Sequence, residues 1–225
     1  MLWYFWYASP YFEVSGGLKI VLLLLTVNFV LGPVATFAVF DKKKSVQVLK
    51  NDILILLVLQ VSALIYGISV AAVARPVALV FAKDRFSLIT ANQVRLTELR
   101  RLKNHQMNLP WADGPMLLSI RSSVGQEALD SVELASHGFD LPSRPSYWES
   151  YAPVARDAFQ RARPLITLVD HYKLDAKLFE AKFLKEDARL QNTAFLPLET
   201  KVGDWIILLG TDGAIAGFAP FNGFF

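Results

Sequence analysis

The chain has 225 residues, 53% of them apolar, and its 23 basic and 20 acidic side chains leave a net charge of +3. It contains no cysteine, which excludes disulfides, iron–sulfur clusters and thiol catalysis but does not identify a compartment. Residues 1–74 hold five lysines and three acids, whereas residues 75–225 hold eighteen Lys/Arg against seventeen Asp/Glu, with no basic stripe interleaved with aromatics, so nucleic acid is not an expected partner.

Met1–Ala8 is aromatic and apolar, lacks the basic start of a signal peptide, and is too short to cross a bilayer. Its Trp3, Tyr4, Trp6 and Tyr7 suit an interfacial belt, or else the end of a longer first helix. Residues 1–17 are read as this stub and a short outer segment. Two apolar runs follow, at 18–40 and 53–74, and each exceeds the roughly 20 residues a helix needs to span lipid. Lys19 stands at the very end of the first run, where a long side chain can snorkel, and the second run carries no charge. The pattern predicts a membrane helical hairpin. The loop at 41–52 holds Lys42, Lys43, Lys44 and Lys50, whereas residues 9–17 hold no basic residue and the acid Glu13. Basic short loops stay cytoplasmic, which places the chain before the first span and after Arg75 outside, in the periplasm of a two-membrane bacterium. The basic stretch at 75–103 does not reverse this, because long domains translocate largely regardless of charge.

Residues 75–225 are about the size of one globular domain and predict an α+β extracytoplasmic fold. Arg75-Pro76 ends the second span, since a residue before proline disfavours helix. Val77–Phe81 and Phe86–Thr90, separated by Lys83-Asp84-Arg85, read as a β-hairpin. Asn92 is a candidate cap for a helix over Val94–Lys103, with Leu96, Leu99 and Leu102 three apart. Met116–Ile120 reads as a strand and Val124–Ala135 as an amphipathic helix. A proline-rich loop with Tyr147, Trp148 and Tyr151 precedes a helical stretch from Val154 to about Gln191, interrupted at Pro164, whose buried face would carry Phe179, Phe183 and Leu190. Strands return at Phe195–Thr200, Asp204–Leu209 and Ala214–Ala219, the last two joined by a Thr211-Asp212-Gly213 turn.

Several residues, in order, resemble the TfpX/TfpZ family of type IV pilin accessory proteins. They are Tyr11-Phe12-Glu13-Val14-Ser15-Gly16-Gly17, Leu31-Gly32-Pro33, Lys43-Lys44-Ser45, Leu59-Gln60, Tyr66-Gly67, Arg75-Pro76-Val77, Val80-Phe81 and Asp84-Arg85-Phe86. The ordered set lies within residues 11–92 and covers a little over a third of the chain. The resemblance implies an inner-membrane protein with three helices and a periplasmic C-terminal domain that assists the pilin, in its stability or its assembly. Here the family's first helix is reduced to Met1–Ala8.

Asn28 and Gln60 lie within the apolar runs, where an unpaired amide is costly. Counted from the loop they are offset by roughly 7.5 Å, so a direct bond between them is awkward and each seeks another acceptor or donor. One reading is packing within the chain. The other assigns Asn28, Gly32, Pro33 and Gln60 to a docking face for the pilin's apolar helix. The resemblance implies that this helix bears an acidic residue, and Gly32-Pro33 would supply close approach and a kink. The aromatic loop is read as a lid on the core or as a partner surface, and the phenylalanines of the C-terminus (Phe218, Phe221, Phe224, Phe225) as packing on the terminal hairpin or the bilayer. His105, His137 and His171 form no metal motif; a helix would place Asp175 on the face of His171. No nucleophile elbow or phosphate-binding glycine loop occurs. The expectation is a non-enzymatic protein without metal or cofactor that binds lipid bilayer and type IV pilin. The alternative is a membrane-anchored periplasmic sensor or unrelated binding domain, which the small cytoplasmic portion disfavours.

Overall fold

The computed structural model describes residues 10–26, 29–30, 32–39, 45–101, 109, 114–121, 140–184 and 188–225. The chain divides into two compact units. One is Gly16–Arg75; the other joins the segment ending at Ser15, which carries the one-turn helix α1 (Tyr11–Val14), to Pro76–Phe225. The predicted helix at Val124–Ala135, the aromatic stub and the lysines at 42–44 lie outside the described residues.

In the first unit the leading apolar run is helical over α2 (Gly17–Thr26) and α3 (Gly32–Val39), with Phe29 and Val30 in π-helical geometry between them. Pro33 explains a local irregularity here: it lacks an N–H and its ring crowds the carbonyl one turn back. The second run forms α4 (Val46–Val73), 28 residues and so about 42 Å long, enough to cross the roughly 30 Å core of a bilayer. Among the described residues it is the one helix of membrane length and apolarity, where the sequence predicts two. It starts at Val46, earlier than the apolar run, because Ser45 adopts extended geometry and its Oγ accepts from the Val48 N–H at 3.4 Å. Both α2 and α3 pack against α4.

The second unit is built on an eight-stranded mixed sheet. Its strands are β1 (Pro76–Ala82), β2 (Arg85–Thr90), β3 (Met116–Ile120), β4 (Trp148–Ser150), β5 (Arg163–Pro164), β6 (Ala194–Glu199), β7 (Trp205–Leu209) and β8 (Ile215–Ala219). The order is β4-β3-β1-β2-β6-β7-β8, with β5 also paired to β6. The β1–β2 hairpin is antiparallel as expected; β3 joins β1 in parallel, and β2 joins β6 in parallel through Phe86↔Leu198 and Ser87↔Glu199. These parallel joins bring the strands from the two ends of the domain into one sheet. β5 meets β6 near its start, at Arg163↔Phe195, so Pro197 falls where that edge of β6 changes partner. A proline, which cannot donate to the ladder, is tolerated at such a break.

The sheet is covered on both faces, which is why its strands read as nearly continuous apolar runs. Alternate residues separate the faces. Leu79, Phe81, Leu196, Leu198, Ile207 and Leu209 enter one core, roofed by Tyr151, Ala158 and Val14. Val77, Ala78 and Val80 enter a second with Leu118 and Trp148, and Phe195, Ile206 and Leu208 a third. The roof of the first core is α6 (Ala155–Arg161); the third is covered by α7 (Leu165–His171) and α8 (Ala176–Phe183). The C-terminal phenylalanines close this last layer: Phe221 packs on Phe179 and Phe183, and Phe225 stacks on His171 with centroids 3.9 Å apart.

Two predicted helix features are corrected. α5 (Leu96–Arg101) is not capped by Asn92, whose side chain pairs with Thr90 in the preceding turn; the Arg95 carbonyl accepts the first helical N–H groups. His171 and Asp175 do not share a helix face, because α7 ends at His171, Lys173 turns left-handed (φ 51°), and Asp175 caps α8 by accepting from Lys177 and Leu178.

Polar pins fix the loops to this frame. Glu98, 8% exposed, accepts from Arg144 Nε and Arg95 Nη1, both at 2.9 Å, and from the Ser146 hydroxyl at 2.5 Å. It thereby ties α5 to the 141–147 loop. Burial alone would raise its pKa, but the Ser146 and Arg144 hydrogen bonds and the Arg144 charge outweigh that and hold it below the ordinary value. Tyr151 donates to the Gly213 carbonyl at 2.8 Å, and burial, with Asp212 adding to it, pushes the phenol up to about 12. Gly213 (φ +79°) sits so close to α6 that a Cβ would fall 2.0 Å from the Ala155 carbonyl oxygen.

Glu98→Ala should destabilise the full chain in detergent by about 3 kcal/mol, because it removes the buried carboxylate that accepts from Arg144, Arg95 and Ser146. With its folded pKa depressed, Glu98 stabilises above its unfolded pKa, and that contribution is lost as pH falls through the folded value. Denaturant titrations across pH 3–7 should show wild type losing stability at the acid end more steeply than the variant. Gly213→Ala should cost more than about 2 kcal/mol, since it combines a left-handed backbone with a clash against main chain. A melting temperature equal to wild type would refute that placement.

Candidate functional site

In the apolar stretches of the first unit's helices, three hydroxyls satisfy themselves. Ser62 and Ser69 donate to the carbonyls of Val58 and Ile65 at 2.8 and 2.9 Å, and Thr36 to that of Gly32 at 2.9 Å. This is the usual resolution for a hydroxyl in an apolar helix. Gln60 is different. It is half-buried and makes no hydrogen bond among the described residues. Since no fully buried side-chain nitrogen or oxygen there lacks a partner, its amide atoms are reachable at the helix surface.

Gly32 makes that position possible. It is buried, and a Cβ on it would lie 3.0 Å from Gln60 Nε2 and 3.4 Å from Cδ. The glycine therefore admits the amide against the α3 backbone. Pro33, next in sequence, is exposed. The structure thus brings Gly32 and Gln60 together with Pro33 beside them; Asn28 lies outside the described residues. Around them Leu22, Leu23, Val34, Phe37, Leu57 and Leu64 are all exposed, a surface suited to lipid or another apolar helix and not to water.

In the second unit the aromatic loop is a lid on the core. Tyr147, Trp148 and Tyr151 are buried, Trp148 donates to the Pro142 carbonyl at 2.8 Å, and Arg121 and Arg144 each lie 4.6 Å from the Tyr147 ring centre. Among the described residues no group of three His, Asp or Glu side chains is arranged to hold a metal.

Sequence reasoning missed two clefts. One, of about 330 Å³, opens beside the short β2–β6 join, where Ser87 donates to Glu199 at 3.1 Å and Gln93, Ser143 and Lys201 complete the wall. The other, of about 410 Å³, lies at the C-terminal ends of β1 and β3 and is lined by Lys83, Arg121, Asp157 and Arg161. Each collects residues from segments far apart in the chain, so no local spacing signals it. The only clue in sequence was Lys83-Asp84-Arg85, which reads simply as a charged turn.

No protein-family model matches the chain, and no solved structure matches it. Three proteins of Dichelobacter nodosus are similar to it. The fimbrial assembly protein of serogroup I is 28% identical over 214 residues, covering 93% of this chain and 82% of the relative. That of serogroup E1 is 29% identical over the same length and shares. The fimbrial assembly protein of serogroups C1 and C2 is 30% identical over 99 residues, 44% of this chain and 76% of the relative. The similarity to the first two takes in both structural units, and on the third, 30% identical and covered over 76% of its length, the chain belongs to the family of these fimbrial assembly proteins.

Proposed function

We propose that the protein is an accessory factor of type IV pilus biogenesis, of the TfpX/TfpZ kind, that sits in the bacterial inner membrane and binds the pilin. The observation that carries a role in pilus assembly is the similarity to fimbrial assembly proteins across 93% of the chain. The finer reading, that the helices hold the pilin's apolar helix, is supported by Gln60. An amide in a membrane-length helix with no bond among the described residues is a donor in search of an acceptor, and a carboxyl on an apolar helix is a fitting one. Gly32 and Pro33 would let that helix approach closely.

Burial supports the hairpin topology. Val14 has no exposed surface and lies in the same core as Leu79 and Ile207, and the Tyr11 ring meets Phe218 edge-on at 5.5 Å. The chain before α2 and the chain after α4 therefore share one side. In this reading α4 crosses the membrane and the run through α2 and α3 crosses it back, as a hairpin. The lysines of the 41–52 loop favour the cytoplasm for that loop and the periplasm for the sheet domain.

The absence of cysteine makes this testable by single-cysteine labelling. With a membrane-impermeant maleimide on cells whose outer membrane is permeabilised, Glu13→Cys and Lys177→Cys should react together, and Gln47→Cys only after the inner membrane is breached. Opposite sidedness of Glu13→Cys and Lys177→Cys would sink the hairpin.

Deleting the gene should lower total pilin or the pilin sheared from the cell surface, with the intact gene restoring it. Unchanged amounts of both would turn the reading toward a sensor or unrelated binding domain. Gln60→Leu with Asn28→Leu should reduce recovery of pilin with the purified protein by about fivefold, on the scale of one interhelical hydrogen bond in lipid. Undiminished association would remove the amides from the docking face.

A further inference from the structure

We propose that the cleft at the C-terminal ends of β1 and β3 binds an acidic segment of a partner protein, with carboxylates held by Lys83, Arg121 and Arg161. The proposal goes beyond the pilus reading and does not depend on it.

Four observations carry it. The first is position. β1 and β3 run parallel from Ala78↔Met116 to Phe81↔Ser119, so both chains leave the sheet at the same end, and α6 contributes Asp157 and Arg161 across the gap. The second is charge. Three cations face one carboxylate in the lining, and among the described residues neither Lys83 nor Arg161 makes a side-chain hydrogen bond or ion pair. Arg121 is held in place by stacking on Tyr147 and by donating from Nε to the Ser146 carbonyl at 3.4 Å, which fixes its guanidinium ahead of any ligand.

The third is the floor. Phe81, Ile120 and Val154 line the same cleft, and its volume of about 410 Å³ lies within the range of ligand pockets. A bare anion has no use for apolar walls of that extent; a peptide with acidic and apolar side chains in alternation uses both. The fourth is Lys83 itself. It holds φ 59° in the turn between β1 and β2, a left-handed position that Gly or Asn fills with less strain. Local turn chemistry does not account for a lysine there, whereas a cation aimed at a ligand does.

The test uses the full chain in detergent micelles and a fluorescent peptide of alternating glutamate and leucine. Saturable binding is expected, with a glutamine–leucine peptide at least about tenfold weaker. Lys83→Asn and Arg161→Gln should each weaken the glutamate peptide about tenfold, while Lys177→Gln on the exposed face of α8 leaves it unchanged. Because asparagine suits the left-handed turn, Lys83→Asn should melt no lower than wild type, which separates lost recognition from lost folding. Absence of saturable binding, or Kd values untouched by both cleft variants, overturns the proposal. Displacement by inorganic phosphate or by short-chain phosphatidylglycerol as effective as that by unlabelled peptide would also overturn it, in favour of a simple anion or lipid-headgroup site.

Discussion

Val14 lies within the core of a domain whose first strand begins only at Pro76, and the whole helical unit Gly16–Arg75 is threaded between the two. That packing turns a linear order of segments into a closed excursion. The chain must leave the sheet domain, run through α2, α3 and α4, and come back to the same domain. Val14 loses all its exposed surface there, and Tyr11 is buried enough to push its phenol pKa up. A crossing that left the two ends on opposite sides of a bilayer would expose Val14 and open one face of the sheet.

The need for that cover comes from the sheet. Its two parallel joins, β1 with β3 and β2 with β6, make a layer apolar on both faces, and each face requires a roof. α6, Tyr151 and the α1 turn supply one; α7, α8 and the C-terminal phenylalanines supply part of the other. The roofs are short elements with little stability of their own. They are held by single polar contacts with long sequence separation: Tyr151 to the Gly213 carbonyl, Glu98 to Arg144 and Ser146, Arg163 to the Phe225 main-chain oxygen. The first joins the segment before α6 to the β7–β8 turn, the second joins α5 to the 141–147 loop, and the third, which is exposed, joins β5 to the C-terminal residue.

Much of this was legible in sequence where the signal was local. The β1–β2 hairpin, β3, the Asp212-Gly213 turn and the break at Pro164 follow from apolar runs punctuated by Asp, Gly and Pro. The helix of α4 follows from its length. Asn92 failed as a cap because its side chain found Thr90 two residues back, a competing turn that propensity does not rank. His171 and Asp175 share a face only if the helix continues, and Lys173 ends it. The closure through Val14 was invisible for a different reason. A short apolar turn before a membrane run has no periodicity, and its partner strands lie beyond the helices. The basic cleft shares that cause, since Lys83, Arg121 and Arg161 meet only after the parallel pairing of β1 and β3 and the placement of α6.

For the amides in the helices, sequence supplied the question and packing the answer. Counting back from the loop, Gln60 stands level with residue 33 and not with Asn28, and in the structure its amide rests against Gly32. A glycine there removes the side chain that would otherwise shield the amide or bond to it. Ser62 and Ser69, two and nine positions further along the same helix, close on their own backbone because a hydroxyl on a short stem can reach the carbonyl one turn back. The longer Gln60 side chain reaches the neighbouring helix at Gly32 instead and makes no bond among the described residues. In lipid an interhelical hydrogen bond accepted from such a donor contributes about 0.6–2 kcal/mol. That is enough to favour, at this one level of the helix pair, an apolar helix that presents an acceptor over one that presents none.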